Sequence, residues 1–385
     1  MASLHRMPAL DGVRGLAILL VLVAHVFGLN GAGLVGVLLF FVLSGYLITS
    51  ILLKEIAAQG AVNLRAFYVR RALRLLPALV LLLSFLILLT VIGATPIPTT
   101  SVLLGATQAL FYVTDFVLGF TSEATPGLAH LWTLAVEEQF YSLWPIAVLL
   151  FLRGFRSRRL RALGWMIGVS VLLRLLTVLV GMRQGWFFYA LPTLWFECLL
   201  GGALLAVGGF EVGQCRPSGA MLRRAMMALC WGIMFLAAVH PGTFLSPITY
   251  VLGIPVLTAS SMGLLTCASA TGGGVTTRVL GAHALRWLGE HSYGLYLFNS
   301  TAILVTSHWL GHGLASRALG AGAAVGLAVL SRRFVEVPAL KLKSRLTTAS
   351  MPVIHPLALR SSKLANAKAR RYHRRTAYSK ADGRP

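Results

Sequence analysis

Apolar residues in this chain do not alternate with polar ones at the short period of a soluble helix; they run on for about twenty positions at a time. A helix that crosses a bilayer needs about 20 mostly apolar residues. Runs of that kind fall at roughly 12–29, 34–53, 75–94, 134–152, 162–181, 187–209, 225–240, 246–268, 287–309 and 317–331. The pattern predicts an all-α, polytopic transmembrane helix bundle of about ten spans. A further apolar stretch, about 101–120, is interrupted by Thr107, Gln108, Thr114 and Asp115 and is expected to be interfacial or re-entrant. The first run has the short basic start of a signal peptide. Asp11 and Arg14 interrupt its approach, however, and no small-residue cleavage site follows, so it is expected to be a retained helix.

Composition sharpens this picture. The 385 residues are 57% hydrophobic and 12% charged, against about 25% charged in a soluble domain. Lysine and arginine number 34 against 11 acids, a net charge of +23. Such an excess would fit a nucleic-acid binder, but its placement argues otherwise. With the N-terminus inside and ten crossings, 31 of the 34 cations fall in cytoplasmic segments, as orientation by positive charge requires. Only Arg174, Arg183 and Arg317 are left over. Both termini are therefore expected in the cytoplasm, in a bacterial-type cell membrane, with membrane lipid as a partner and no nucleic acid. Residues 1–340 read as the membrane domain, and 341–385 as a basic, disordered cytoplasmic tail drawn to anionic lipid. Cys198, Cys215, Cys230 and Cys267 lack metal or redox spacing.

Polar residues inside apolar runs are costly and mark candidate function. Arg14 and His25 are eleven residues apart on the first helix, so they face within about 20° of one another at depths about 16 Å apart. Histidine is suited to take a proton from a hydroxyl near neutral pH. Before the fourth span stands His130-Leu-Trp132-Thr-Leu-Ala-Val-Glu137-Glu138-Gln139-Phe140-Tyr141. Glu137 and Tyr141 share a helix face and Glu138 projects about 100° away, so at least one carboxylate should meet a polar cavity. Arg70, Arg71 and Arg74 form an inner cluster suited to phosphate groups, although such clusters also simply set topology. Glu197 lies in an apolar run and is a natural partner for Arg174. Tyr293 and Asn299 put polar groups into the ninth span. His308 and His312 are four apart but lack a third ligand, so no metal is expected.

Together these stretches resemble the acyltransferase-3 family of integral membrane O-acyltransferases over about residues 7–340. The elements stand in order: Arg14 to His25; Phe40-Phe41-Val42-Leu43-Ser44-Gly45-Tyr46; Arg70-Arg71 with Arg74 and Pro77; His130 to Tyr141; Ser292-Tyr293 to Tyr296-Leu297; and Arg333-Phe334-Val335-Glu336-Val337-Pro338. The resemblance implies transfer of an acyl group, commonly acetyl, from acyl-CoA or a related donor to a hydroxyl. It assigns catalysis to His25 as general base, with Glu137 or Glu138 positioning it or the acceptor. Donor phosphates would fall to Arg14, Arg70, Arg71 and Arg74. Acceptor positioning would fall to His130, Trp132, Tyr141, Tyr293, Asn299 and Glu197.

Two departures stand out. Family members often end the ninth-span element in Trp-His, where this chain has Phe298-Asn299, and Leu194 stands where an arginine often precedes Glu197. Within the family, a compact chain without an esterase-like domain fits the antibiotic-tailoring branch. A macrolide or related polyketide is the expected acceptor, with a cell-surface polysaccharide or lipid-linked glycan as the alternative. From another class, a secondary transporter would also carry ten spans and intramembrane charge, but no half-to-half similarity of the kind common in transporters is visible.

Overall fold

The computed structural model describes residues 8–151, 156–184, 188–208, 220–240, 246–268 and 275–342. Among the described residues every regular element is helical. The helices are α1 (Pro8–Phe27), α2 (Asn30–Gln59), α3 (Leu64–Val91), α4 (Thr99–Leu110), α5 (Thr114–Thr121), α6 (Trp132–Phe151) and α7 (Arg156–Gln184). They continue with α8 (Phe196–Val207), α9 (Ala220–Val239), α10 (Ile254–Ala268), α11 (Val275–Leu280), α12 (His283–Leu310) and α13 (Leu314–Ser331). The chain divides into two units, 1–340 and 341–385. The second, the basic tail, lies almost wholly outside the described residues.

Seven helical segments among the described residues are long and apolar enough to cross a membrane: 9–27, 30–59, 64–91, 129–151, 157–182, 249–266 and 314–342. Each coincides with an expected span. The other three expected spans differ in kind. The run at 187–209 is not one helix: two 3-10 turns at Phe188–Ala190 and Pro192–Leu194 precede α8, whose 12 residues reach only about 18 Å. Pro192 opens the second turn and cannot lie in a helix interior without losing a backbone bond. The run at 225–240 lies in α9, whose 20 residues reach about 30 Å. The run at 287–309 lies in α12, long enough at 28 residues but diluted by His291, Ser292, Asn299, Ser300 and Thr301. The stretch at 101–120 forms two short helices, α4 and α5, separated at Phe111–Val113, where Tyr112 takes φ +53°.

Packing in the bundle depends on small residues, because lipid supplies no hydrophobic drive between helices. α1 packs on α12 and α2, and α2 on α8. At the α1–α12 crossing a Cβ on Gly15 would run into the carbonyl of Leu285 and one on Gly289 into that of Asp11, and a Cβ on Gly12 would run into the carbonyl of Leu280 at the end of α11. At the α2–α8 crossing Gly45 faces the Leu199 carbonyl and Gly202 the Val42 carbonyl. The α2–α3 hairpin is closed by Gly60, left-handed at φ +75°, and by Asn63, whose side chain accepts from the Ala66 N–H at 2.9 Å. That turn sets the phase of α3 and so of Arg70, Arg71 and Arg74.

Candidate active site

A cavity of about 670 Å³ opens among α1, α2, α3, α6 and α12. Along α2 the lining runs from Val37 and Phe40 at the far end, where Tyr296 and Thr133 join them, past Ser44 to Lys54 at the near end, and its charged and polar residues include Asp11, Arg14, Arg71, Arg74, Glu137, Tyr141 and Tyr293. α1 runs antiparallel to α2: Gly33 meets Ala24 and Gly36 meets Ala17.

In the middle of the cavity the Glu137 carboxylate accepts hydrogen bonds from the Ser44 and Tyr141 hydroxyls through the same oxygen. One position along α6, Glu138 turns to α3 and pairs with Arg71. The Arg71 guanidinium also lies 3.5 Å over the Tyr141 ring centroid. The register that brings Ser44 to Glu137 is held one turn further along by a relay: Trp144 Nε1 donates to Thr49 Oγ1 at 2.8 Å, and Thr49 donates to the Gly45 carbonyl at 2.7 Å. Tyr293 holds α3 from the other side, donating to the Leu75 carbonyl at 2.7 Å beside Pro77.

The cations divide by partner. Arg14 lies 3.7 Å from Asp11, and Arg70 turns away from the cavity to Glu55 at 3.4 Å. Arg74 lines the cavity within electrostatic reach of Arg14, Arg71 and Glu137. Neither Arg74 nor Lys54 has a hydrogen-bonded or ion-paired partner among the described residues. Of the three adjacent arginines the structure therefore brings Arg71 and Arg74 to the cavity and leaves Arg70 in the α2–α3 hairpin. Glu336, in a π-helical turn at Arg332–Glu336, accepts from Ser331 at 3.2 Å and lies within electrostatic reach of Arg74.

His25 does not line this cavity. Its Nδ1 faces the Val21 carbonyl at 2.9 Å. A carbonyl can only accept, so Nδ1 carries the proton and Nε2 presents a lone pair. His25 lies within electrostatic reach of His130. His130 Nε2 faces the Leu297 carbonyl at 3.2 Å, which leaves its buried Nδ1 as a second lone pair without a partner. Asn299 is fully buried; its amide donates to the Leu295 and Tyr296 carbonyls at 3.0 and 2.6 Å, and its Oδ1 has no partner. His130 stands in a 3-10 turn, Ala129–Leu131, that leads into α6, seven positions before Glu137 and about 10 Å away along the axis. The site thus has two levels: a charged cavity and, beyond it, a pair of histidines.

The remaining sequence-derived candidates lie elsewhere. Trp132 packs on Trp195 and Tyr189 with ring centroids 5.3 and 5.9 Å away, as core. Glu197 pairs with Arg174 between α8 and α7, side chains 6% and 3% exposed. Ser44, Lys54, Thr133 and Tyr296 were not singled out as site residues. Ser44 is one of four hydroxyl residues, with Tyr46, Thr49 and Ser50, in a largely apolar run, and only its adjacency to Gly45 hints at a close helix crossing.

A family profile described as an acyltransferase domain matches residues 7–333. The chain is 31% identical to the peptidoglycan O-acetyltransferase OatA of Listeria monocytogenes over 352 residues, covering 87% of this chain and 56% of that protein. It is 31% identical to the putative peptidoglycan O-acetyltransferase YrhL of Bacillus subtilis over 317 residues, covering 79% and 50%. It is 38% identical to a putative O-acetyltransferase of Staphylococcus aureus over 184 residues, covering 44% and 29%. The chain thus spans about half the length of the first two relatives. No solved structure matches it. With the family profile covering nearly the whole described bundle, the chain belongs to the acyltransferase-3 family of multi-pass integral membrane proteins.

Proposed function

We propose that this chain is a membrane O-acyltransferase that moves a short acyl group, acetyl foremost, from acyl-CoA to a hydroxyl of a cell-surface glycan. The observation that carries the donor assignment is the cationic lining of the cavity, where Arg14, Lys54 and Arg74 stand and two of the three cations lack hydrogen-bonded or ion-paired partners among the described residues. Cations without partners that line a cavity favour an anionic ligand, and a guanidinium matches phosphate oxygens. The distribution of lysine and arginine supports a cytoplasmic setting for these residues, the side on which acyl-CoA is available. Two relatives carry peptidoglycan in their names, which favours a glycan acceptor over the macrolide suggested by chain length.

His25 serves as general base in this scheme. The acceptor oxygen attacks the thioester carbonyl carbon and its proton passes to His25 Nε2. The carbon–sulfur bond breaks, and the leaving thiolate takes the proton back from the imidazolium. Glu137, held by Ser44 and Tyr141, positions the middle of the donor; Glu138 acts through Arg71. His130, within electrostatic reach of His25, and Asn299, each with a buried acceptor atom that has no partner, orient the acceptor.

Proteoliposomes containing the full chain, given isotope-labelled acetyl-CoA and peptidoglycan fragments, test the assignment. Label should appear on the glycan, and His25→Ala should lower kcat at least 100-fold with little change in donor KM. Equal activity in wild type and His25→Ala would remove the base assignment, and absence of label from acetyl-CoA would remove the donor.

A further inference from the structure

Two aromatic rings stand at the far end of the cavity. Phe40 on α2 and Tyr296 on α12 both line it, with ring centroids 6.4 Å apart and planes at 73°. Rings at that separation and angle are in edge-to-face contact, which narrows the cavity there. On its other side the Tyr296 ring packs against the His130 ring at 5.4 Å. Phe40 packs against a cluster containing Ile18 and Val21, and the Val21 carbonyl is the one that holds His25. Each ring therefore touches the cavity on one face and the support of one histidine on the other.

The Tyr296 ring is also fixed. Its hydroxyl donates to the His130 carbonyl at 2.7 Å and shares a second hydrogen bond with Thr133. Phe40 has no polar tether, so of the two rings it is the one whose removal opens space without disturbing His130.

We infer that the Phe40–Tyr296 pair sets the size of acyl group this enzyme transfers, stopping the acyl end of the donor against the rings and holding the reaction to short chains. This inference rests on the donor placement proposed above. With phosphates at Arg14, Lys54 and Arg74, the thioester end points along the cavity toward the rings, and the carbonyl has to reach the histidine level past their edge. Two carbons can lodge at that edge. A longer chain has to displace Phe40 from its packing on the cluster that contains Ile18 and Val21.

The test compares transfer from acetyl-, propionyl-, butyryl- and hexanoyl-CoA by the full chain in proteoliposomes. Wild type should prefer acetyl to hexanoyl at least tenfold, and Phe40→Ala should move that ratio toward hexanoyl at least tenfold. Phe40→Tyr, which keeps the ring, should retain the wild-type ratio. An unchanged ratio in Phe40→Ala with acetyl transfer retained would overturn the inference, as would a wild type indifferent to chain length. If Phe40→Ala is inactive toward every donor, Phe40→Leu takes its place; loss of all transfer there too makes the ring structural and overturns the size role. Should wild type use no CoA ester, the donor assignment fails separately. The acyl groups found on cell-surface glycan from cells expressing wild type or Phe40→Ala then decide the size inference: longer chains in the variant support it, and identical products refute it.

Discussion

Arg71 sits with its guanidinium carbon 3.5 Å above the Tyr141 ring centroid while its terminal nitrogen pairs with Glu138, so one cation fastens α3 to two successive turns of α6. The Arg71 and Glu138 side chains are 18% and 12% exposed, and breaking a buried pair from one side leaves the other charge stranded. Arg71→Ala is expected to lower stability by about 3 kcal/mol. Arg71→Lys keeps the charge but loses the planar fork and the stacking, and should fall between that variant and wild type. Thermal unfolding in detergent measures the order; Arg71→Ala equal to wild type would show the pair to be idle.

Arg74 calls for a different outcome. It lines the same cavity as an exposed side chain without a hydrogen-bonded or ion-paired partner among the described residues, so it fastens no element of the fold. Arg74→Met should therefore leave the melting temperature nearly unchanged in the absence of ligand while weakening CoA binding about tenfold, one charge-assisted contact's worth. Isothermal titration with CoA and a thermal melt of the same sample report both. A variant that loses stability and keeps its affinity would assign Arg74 to the fold.

The glycine crossings yield a steric prediction. A Cβ on Gly45 meets the Leu199 carbonyl, a rigid helix backbone, whereas one on Gly168 meets nothing within 4 Å. Gly45→Ala should push α8 from α2, shift Ser44 away from Glu137 and cost several kcal/mol, the upper range for overpacking. Gly168→Ala should be neutral or slightly stabilising. Folded yield in detergent, read by size-exclusion profile, separates the two.

Much of this was legible in the sequence, and the failures have identifiable causes. The Arg174–Glu197 pair could be expected because two lone ionisable groups in apolar runs have few other ways to be stable. Arg14 and His25 share a direction on α1, as their spacing requires, yet only Arg14 reaches the cavity. Periodicity reports azimuth, not the depth at which neighbouring helices part. The same limit applies to Arg70 and Arg71. A 100° step says that they diverge, and only the turn at Gly60–Asn63 decides that Arg71 turns inward. The run at 187–209 is apolar apart from Thr193 and Glu197, but hydropathy does not register what Pro192 does to a backbone. Ser44 was hidden because a single hydroxyl barely changes the hydropathy of its run.

Asp115 is fully buried, and the Gln139 amide reaches both of its carboxylate oxygens at 3.0 and 2.9 Å together with the Tyr112 carbonyl at 2.9 Å. Burial pushes the carboxyl up from 3.8 to about 6, against the pull of the Gln139 hydrogen bond. Between those values the unfolded chain is ionised while the folded one holds its proton, so stability falls as pH rises through that window and levels off above it. The difference is at most about 3 kcal/mol for a shift of two units. Asp115→Asn removes the titration and should be the more stable protein at about pH 7, with the gap to wild type closing by about pH 4. Paired melts across that range test the sign. A gap that widens on acidification would mean that Gln139 stabilises the carboxylate more than burial opposes it.

The pair between Arg174 and Glu197 joins α7 to α8 with both side chains almost fully buried, and Arg174 Nε and Glu197 Oε2 remain without partners. Full desolvation of two charges is offset only in part by a contact that leaves polar atoms unsatisfied. Removing one member strands the other, so Arg174→Met and Glu197→Met should each cost about 3–5 kcal/mol. Removing both leaves apolar side chains between two apolar helices, and the double variant should return to within about 1 kcal/mol of wild type or exceed it. The cycle therefore has a coupling term nearly as large as the single losses, measurable by chemical denaturation in mixed micelles. Additive losses would show that each residue stabilises the fold through neighbours other than its ion-pair partner. If the double variant is stable but inactive, Glu197 acts on the acceptor side as well as in the α7–α8 contact; full activity would confine it to structure.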